Sequence, residues 1–159
     1  MRTMMAAMAL GGALLAGPAA GQQIPGPYGP AVTLAQARAL VDAAHREART
    51  RNLTMAFAVA LPSGEPILLE VMDGTQSGSI PVSQAKARTA ARFRRSTKAF
   101  SDGIGAAPGV GTIDEVVAVE GGLPILSRGR VVGALGVSGG TPAEDGQVAA
   151  AALAAVRLD

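Results

Sequence analysis

The spacing of apolar positions changes several times along this chain, and each change marks an element. From Thr33 to Asn52, the residues Leu34, Ala37, Val41, Ala44 and Ala48 recur at three- and four-residue steps, which predicts a helix with one apolar stripe. Thr33 and Gln36 have capping-box spacing at its start. The runs "TMAFAVAL" (54–61) and "PILLEVM" (66–72) flank the turn "PSGE" and predict a hairpin. The loop "DGTQSGSIP" leads into a second helix at roughly 80–101, and the Gly-rich "DGIGAAPGVGTID" follows it. Three short runs, "EVVAVEG" (115–121), "LPILS" (123–127) and "RVVGALGVS" (130–138), predict three strands, with "RGR" turning between the last two. The closing stretch 141–158 predicts a helix, with Thr141 and Glu144 at capping-box spacing and Pro142 at the first helical position.

The element order is therefore αββαβββα. Consecutive strands joined by short loops pair antiparallel. The expected fold is an α+β sandwich: a five-stranded, mostly antiparallel sheet flanked by helices. The Ala-rich helices suit close helix–helix and subunit contacts.

The stretch ahead of these elements has a different character. "MRTMMAAMALGGALLAGPAAG" has one early cation, an apolar run and small residues at Ala19 and Gly21. It is expected to be a signal peptide spanning 1–21, cut before Gln22, which directs the protein to the periplasm or outside the cell without leaving a membrane anchor. Residues 22–32, "QQIPGPYGPAV", read as an irregular arm, and 33–159 as one domain.

Charge narrows the function classes. With 14 Lys and Arg against 12 Asp and Glu, the chain is too near balance for a nucleic-acid binder, and 3% aromatic content leaves little for stacking bases. With no cysteine and one histidine, a Cys/His metal cage is excluded. "GVSGG" (136–140) fits the spacing of a nucleophile elbow, but the single histidine, His45, lies far upstream. A tight strand-to-helix turn explains it better.

The second helix carries the chain's densest cation run, "SQAKARTAARFRRSTKAF" (83–100). At 100° per residue, Thr89, Phe100, Phe93, Lys86, Thr97 and Ala90 share one sector. Arg88, Arg92, Arg95 and Lys98 lie opposite, on an expected solvent face, with Arg94 between. Lys86 is the exception, a cation among apolar positions. Three outcomes are open to it: snorkelling to the surface, pairing with a core acid such as Asp73 or Glu120, or meeting an anionic ligand. In "VEGGLPIL" (119–126), Gly121 and Gly122 mark either a tight turn or a pocket floor with exposed N–H donors.

The segments "MDGT", "SIPVSQAKARTAARFRRSTKAF" and "VEGGLPILSRGRVVGALGVSGGTPAEDGQVAAAAL" together resemble the GlcG/HbpS family (DUF336), which includes the C-terminal domain of PduO proteins. The resemblance runs from about 33 to 157. It implies a profilin-like α-β-α fold, homo-oligomers from dimer to octamer, and a pocket lined by the KA-x-TA helix and the GG-x-P loop. That pocket would carry Asp73, Lys86, Thr89, Gly121, Gly122 and Pro124. Val71 stands where many relatives have Arg, which removes one anion contact. The resemblance implies haem or another tetrapyrrole as ligand, in haem or iron handling. Lys86 and Arg92 would then meet propionates, and Met72, Ile80, Phe93 and Leu123 the ring. Candidate iron ligands are His45, Met72, Lys86 and Thr89. Two other readings remain: an enzyme or sensor for a hydroxy acid or aldehyde, with Lys86 binding a carboxylate or acting as a base, and an accessory subunit of a periplasmic oxidoreductase.

Overall fold

The computed structural model describes residues 26–158. The expected signal peptide at 1–21 and the first residues of the arm lie outside the described residues.

Helix α1 (Leu34–Thr50) begins where the capping box predicts: the Thr33 hydroxyl accepts from the Gln36 N–H, and the Gln36 side chain accepts from the Thr33 N–H. Helix α4 (Pro142–Ala155) repeats the device with Thr141 and Glu144. Each box satisfies two amide donors that a helix start otherwise leaves orphaned. The hairpin β1 (Ala56–Ala60) and β2 (Pro66–Val71) pairs antiparallel, with Ala56 opposite Val71. Strands β3 (Gly122–Ser127) and β4 (Arg130–Ser138) form a second hairpin, turned by Arg128 and Gly129 at φ 49° and 73°. Two positive φ values in succession match the twist of a tight hairpin.

The sheet order is β2-β1-β4-β3, with each neighbouring pair antiparallel. It has four strands, where the sequence predicts five. Residues 115–121 form no strand, and a side chain takes up two of their backbone groups. Thr89 Oγ1 donates to the Glu115 carbonyl at 2.8 Å and accepts from the Val117 N–H at 3.0 Å. Residues 27–32 of the arm also make backbone bonds that their Pro and Gly content does not predict. Gly29 N–H donates to Val131 O, Val131 N–H to Pro27 O, and Val32 N–H to Val132 O, so residues 27–32 run beside β4 past the end of β1.

The two faces of the sheet are packed differently. Helices α1 and α4 cover one face with a conventional core that includes Leu40, Val41, Phe57, Val59, Leu135, Val137 and Val148. Helix α2 (Ser79–Phe93) covers the other face, where the buried apolar cluster is Ala58, Ala60, Ala87, Ala90, Ala91 and Ala134. A Cβ on Gly136 would run into the Ser83 carbonyl oxygen and the Ala87 backbone nitrogen. The helix backbone thus rests almost directly on β4, and here the small residues serve contacts within the chain.

The cationic helix is not continuous to residue 101. It stops at Arg94, which takes a left-handed conformation at φ 55°. Ser96 then caps a new helix, α3 (Thr97–Gly103), by accepting from the Ala99 N–H. The Tyr28 hydroxyl, from the arm, donates to the Ala91 and Arg92 carbonyls at the end of α2. Among the described residues no helix is long and apolar enough to cross a membrane.

Candidate functional site

Lys86 lies within the fold, 1% exposed, its Nζ 2.6 Å from Asp145 Oδ2 and 3.1 Å from the Val137 carbonyl oxygen. Its acid is neither Asp73, which is exposed in the turn after β2, nor Glu120, but a residue in the first turn of α4. Asp145 is held from the other side by the Gly140 N–H at 3.0 Å. Burial raises the Asp145 carboxyl above its ordinary pKa, and the Lys86 ammonium with the Gly139 and Gly140 amides pulls it back down. The pair ties α2, β4 and α4 together. The ammonium that the resemblance assigns to a ligand is directed at a carboxylate of the chain itself.

The glycine pair abuts this joint. Gly121 has φ 125°, and a Cβ there would stand 2.8 Å from both Lys86 Nζ and Asp145 Cβ. At Gly122 a Cβ would meet the Lys86 carbonyl oxygen at 2.5 Å. Its N–H donates to Thr97 Oγ1 at 2.9 Å, so it is not a free donor. The KA-x-TA helix and the GG-x-P loop therefore meet, as the resemblance implies, but as a packed contact. Thr89 is buried, with both hydrogen bonds directed to residues 115–117. Arg92 bridges Glu65 and Glu115 and donates to the Ser63 carbonyl, fastening the hairpin turn to α2. Met72 and Leu123 pack against the core on the α1 side, and Ile80 is half-buried at the start of α2. Of the expected ligand residues, only Pro124 lines the principal cavity, while Phe93 meets one of its walls by packing edge-on against Phe100 at 5.4 Å.

That cavity, about 700 Å³, opens on the α2 side where α2 gives way to α3. Phe100, Pro124, Leu126 and Val110 form its apolar walls, and Arg94 and Arg95 supply its cations. Its size falls in the range usual for small-molecule sites. Arg94 Nη1 donates to the Gly26 carbonyl at 3.0 Å, with its guanidinium 5.1 Å from the Tyr28 ring centre. Arg95 sits 5.5 Å from the centre of Phe100. Both are cation–π distances. Of the six cations in this run, Lys86, Arg92 and Lys98 have carboxylate partners, whereas Arg88, Arg94 and Arg95 form no salt bridge among the described residues; of these three, Arg94 and Arg95 line the cavity. Such a site offers charged donors beside apolar surface, which complements a flat apolar molecule bearing carboxylates.

A single helical wheel through residue 94 places Arg95 on the solvent face, but the chain is not one helix there. The left-handed residue there resets the phase, and the next helix turns Arg95 towards Phe100. Ser96, three residues before Ala99, was the available sign of a fresh helix start.

The candidate iron ligands lie elsewhere. His45 is on the α1 side of the sheet, its Nε2 3.2 Å from Glu70 Oε2 and its ring 4.7 Å from Phe57. Met72 is on the same side, and Lys86 and Thr89 are engaged as described. Among the described residues there is no group of three or more His, Cys, Asp or Glu that could hold a metal ion.

Residues 32–154 match the family model described as haem-degrading protein HbpS-like. The Escherichia coli protein GlcG is 38% identical over 103 residues, covering 64% of this chain and 77% of GlcG. The crystal structure of Klebsiella pneumoniae protein ORFY, of the DUF336 family, superposes with a TM-score of 0.75 at 28% identity, covering 86% of this chain and 94% of that one. A crystal structure of a PduOC:haem complex shares the fold, with a TM-score of 0.73 at 24% identity over 79% of this chain and 95% of that one. With the α-β-α sandwich in place and the match spanning the whole domain, the chain belongs to the HbpS-like family of haem-degrading proteins.

Proposed function

We propose that this protein is an exported haem- or tetrapyrrole-binding protein, acting in haem or iron handling, and that its ligand sits in the cavity between α3 and β3. The observation that carries this reading is a pair of guanidiniums, Arg94 and Arg95, which have no salt-bridge partner among the described residues and stand beside the apolar wall of Phe100, Pro124 and Leu126. Two propionates would meet the two arginines as charge-assisted hydrogen bonds, and the macrocycle would lie against the wall. Family membership supports the reading, as does a fold shared with a protein crystallised with haem. The residues fit the propionates and the ring; no described side chain of the cavity is a nitrogen or sulfur ligand for iron.

Export is the second part of the proposal, supported by the leader-like composition of residues 1–21. Assembly into homo-oligomers is the third, supported by the exposed Leu69 and Val71 on edge strand β2, where α2 gives little cover. The hydroxy-acid reading is disfavoured, because the Lys86 ammonium it depends on is held by Asp145.

Titration of the purified protein with hemin, followed in the Soret region, tests the proposal. A saturable spectral change with a stoichiometry near one per chain is expected. An unchanged hemin spectrum at micromolar protein would overturn it.

A further inference from the structure

The cavity and the candidate iron ligands occupy different parts of the molecule. Met72 and His45 belong to the sheet face covered by α1 and α4, and the cavity opens on the face covered by α2. Lys86 is on the α2 side but lies buried against Asp145, and Thr89 directs its hydroxyl to the Glu115 carbonyl. Tyr28, beside Arg94, directs its hydroxyl to two α2 carbonyls. Among the described residues, the cavity walls contain no His, Met, Tyr, Lys or carboxylate. What the walls do present is two cations and an apolar surface.

From this separation we infer that the cavity recognises the dicarboxylate edge and ring face of a tetrapyrrole and is indifferent to the central metal, so that the metal-free porphyrin is as good a ligand as haem. The inference rests on the proposed tetrapyrrole reading and sharpens its ligand class. Arg94 is already oriented by Gly26 and Tyr28, and Arg95 by Phe100, so little side-chain freedom remains to be lost when a carboxylate arrives. A metal contributes affinity only through a ligand that reaches it, and the cavity has no strong donor to do so. A protein of this design would carry tetrapyrroles before iron insertion or after iron loss as readily as haem itself.

Three probes applied to the full protein test the inference: hemin, protoporphyrin IX and protoporphyrin IX dimethyl ester, each titrated under the same conditions by quenching of a fluorophore attached to the protein. Hemin and protoporphyrin IX should bind within about threefold of each other, and the dimethyl ester at least about tenfold more weakly, as expected on losing charge-assisted bonds. Hemin binding more than about tenfold tighter than protoporphyrin IX overturns the inference and leaves the tetrapyrrole reading standing. Equal binding of the ester and the free acid also overturns it, since carboxylates would then not be read. Failure of all three probes to bind refutes the tetrapyrrole reading itself. The electronic spectrum gives an independent readout, since a bound hemin showing a low-spin spectrum with two nitrogen or sulfur ligands contradicts the inference whatever the affinities.

Discussion

Lys86 Nζ and Asp145 Oδ2 are 2.6 Å apart and almost completely screened from water, joining the helix on one face of the sheet to a helix on the other. Such a pair is dangerous to halve, because the surviving charge stays buried without a partner. Lys86→Met is expected to cost about 3–5 kcal/mol of unfolding free energy at neutral pH. The cost should shrink in acid. Burial already raises the Asp145 carboxyl, and removal of the ammonium leaves that effect less opposed. A carboxyl whose folded pKa lies above its unfolded value favours folding at low pH and loses that contribution as pH rises through the gap. Urea unfolding at pH 5 and pH 7.5 checks this, and a cost that is larger at pH 5 would contradict it.

Arg95→Ala should weaken hemin binding about tenfold, with little change in unfolding midpoint. Lys98→Ala is the control. Its ammonium pairs with Asp102 on the outside of α3, and its loss should leave hemin affinity and the unfolding midpoint unaltered. Soret titrations of the two variants side by side decide the matter: equal affinity would remove Arg95 from the site.

Gly136→Ala is expected to destabilise the fold by about 2 kcal/mol or more, since the new methyl meets helix backbone with no flexible side chain to give way. Gly129→Ala is the contrast, at a turn with open space but φ 73°, where only backbone strain opposes the change. Thermal melts should rank Gly136→Ala well below Gly129→Ala, and the reverse order would argue against the close seating of α2 on β4.

The protein should be a homo-oligomer in solution. Edge strand β2 leaves Leu69 and Val71 exposed on one face, and a sheet edge with apolar side chains is usually covered in the native assembly. Multi-angle light scattering at micromolar concentration provides the check, with a monomer mass counting against it.

Much of the architecture was legible because it is encoded locally. The capping boxes at Thr33 and Thr141, the apolar stripe of α1 and the turn at Arg128–Gly129 are all short-range signals. The place of Lys86 on an apolar face was legible too, but not which of its three open outcomes it takes. Nor was its partner. Asp145 looks like an ordinary acid in the first turn of a helix, and only the packing of α4 behind β4 brings it to Lys86. The missing fifth strand was not legible either: "EVVAVEG" has a strand's composition, but the Thr89 hydroxyl takes up the Glu115 carbonyl and the Val117 N–H. The cavity went unseen because one left-handed residue, Arg94, resets the phase of everything after it. A residue other than Gly in that conformation leaves little trace in a periodicity.

The sheet order carries a kinetic consequence. The central pair is β1 with β4, with Ala56 opposite Ser138 and most of the domain between them in sequence. The hairpins on either side can form from near neighbours, but they cannot be joined until the chain has closed that long loop, and neither α2 nor α4 has a complete sheet to pack on before then. Such non-local topology predicts refolding well slower than that of a helical domain of this size, with the β1–β4 pairing as the late, cooperative event.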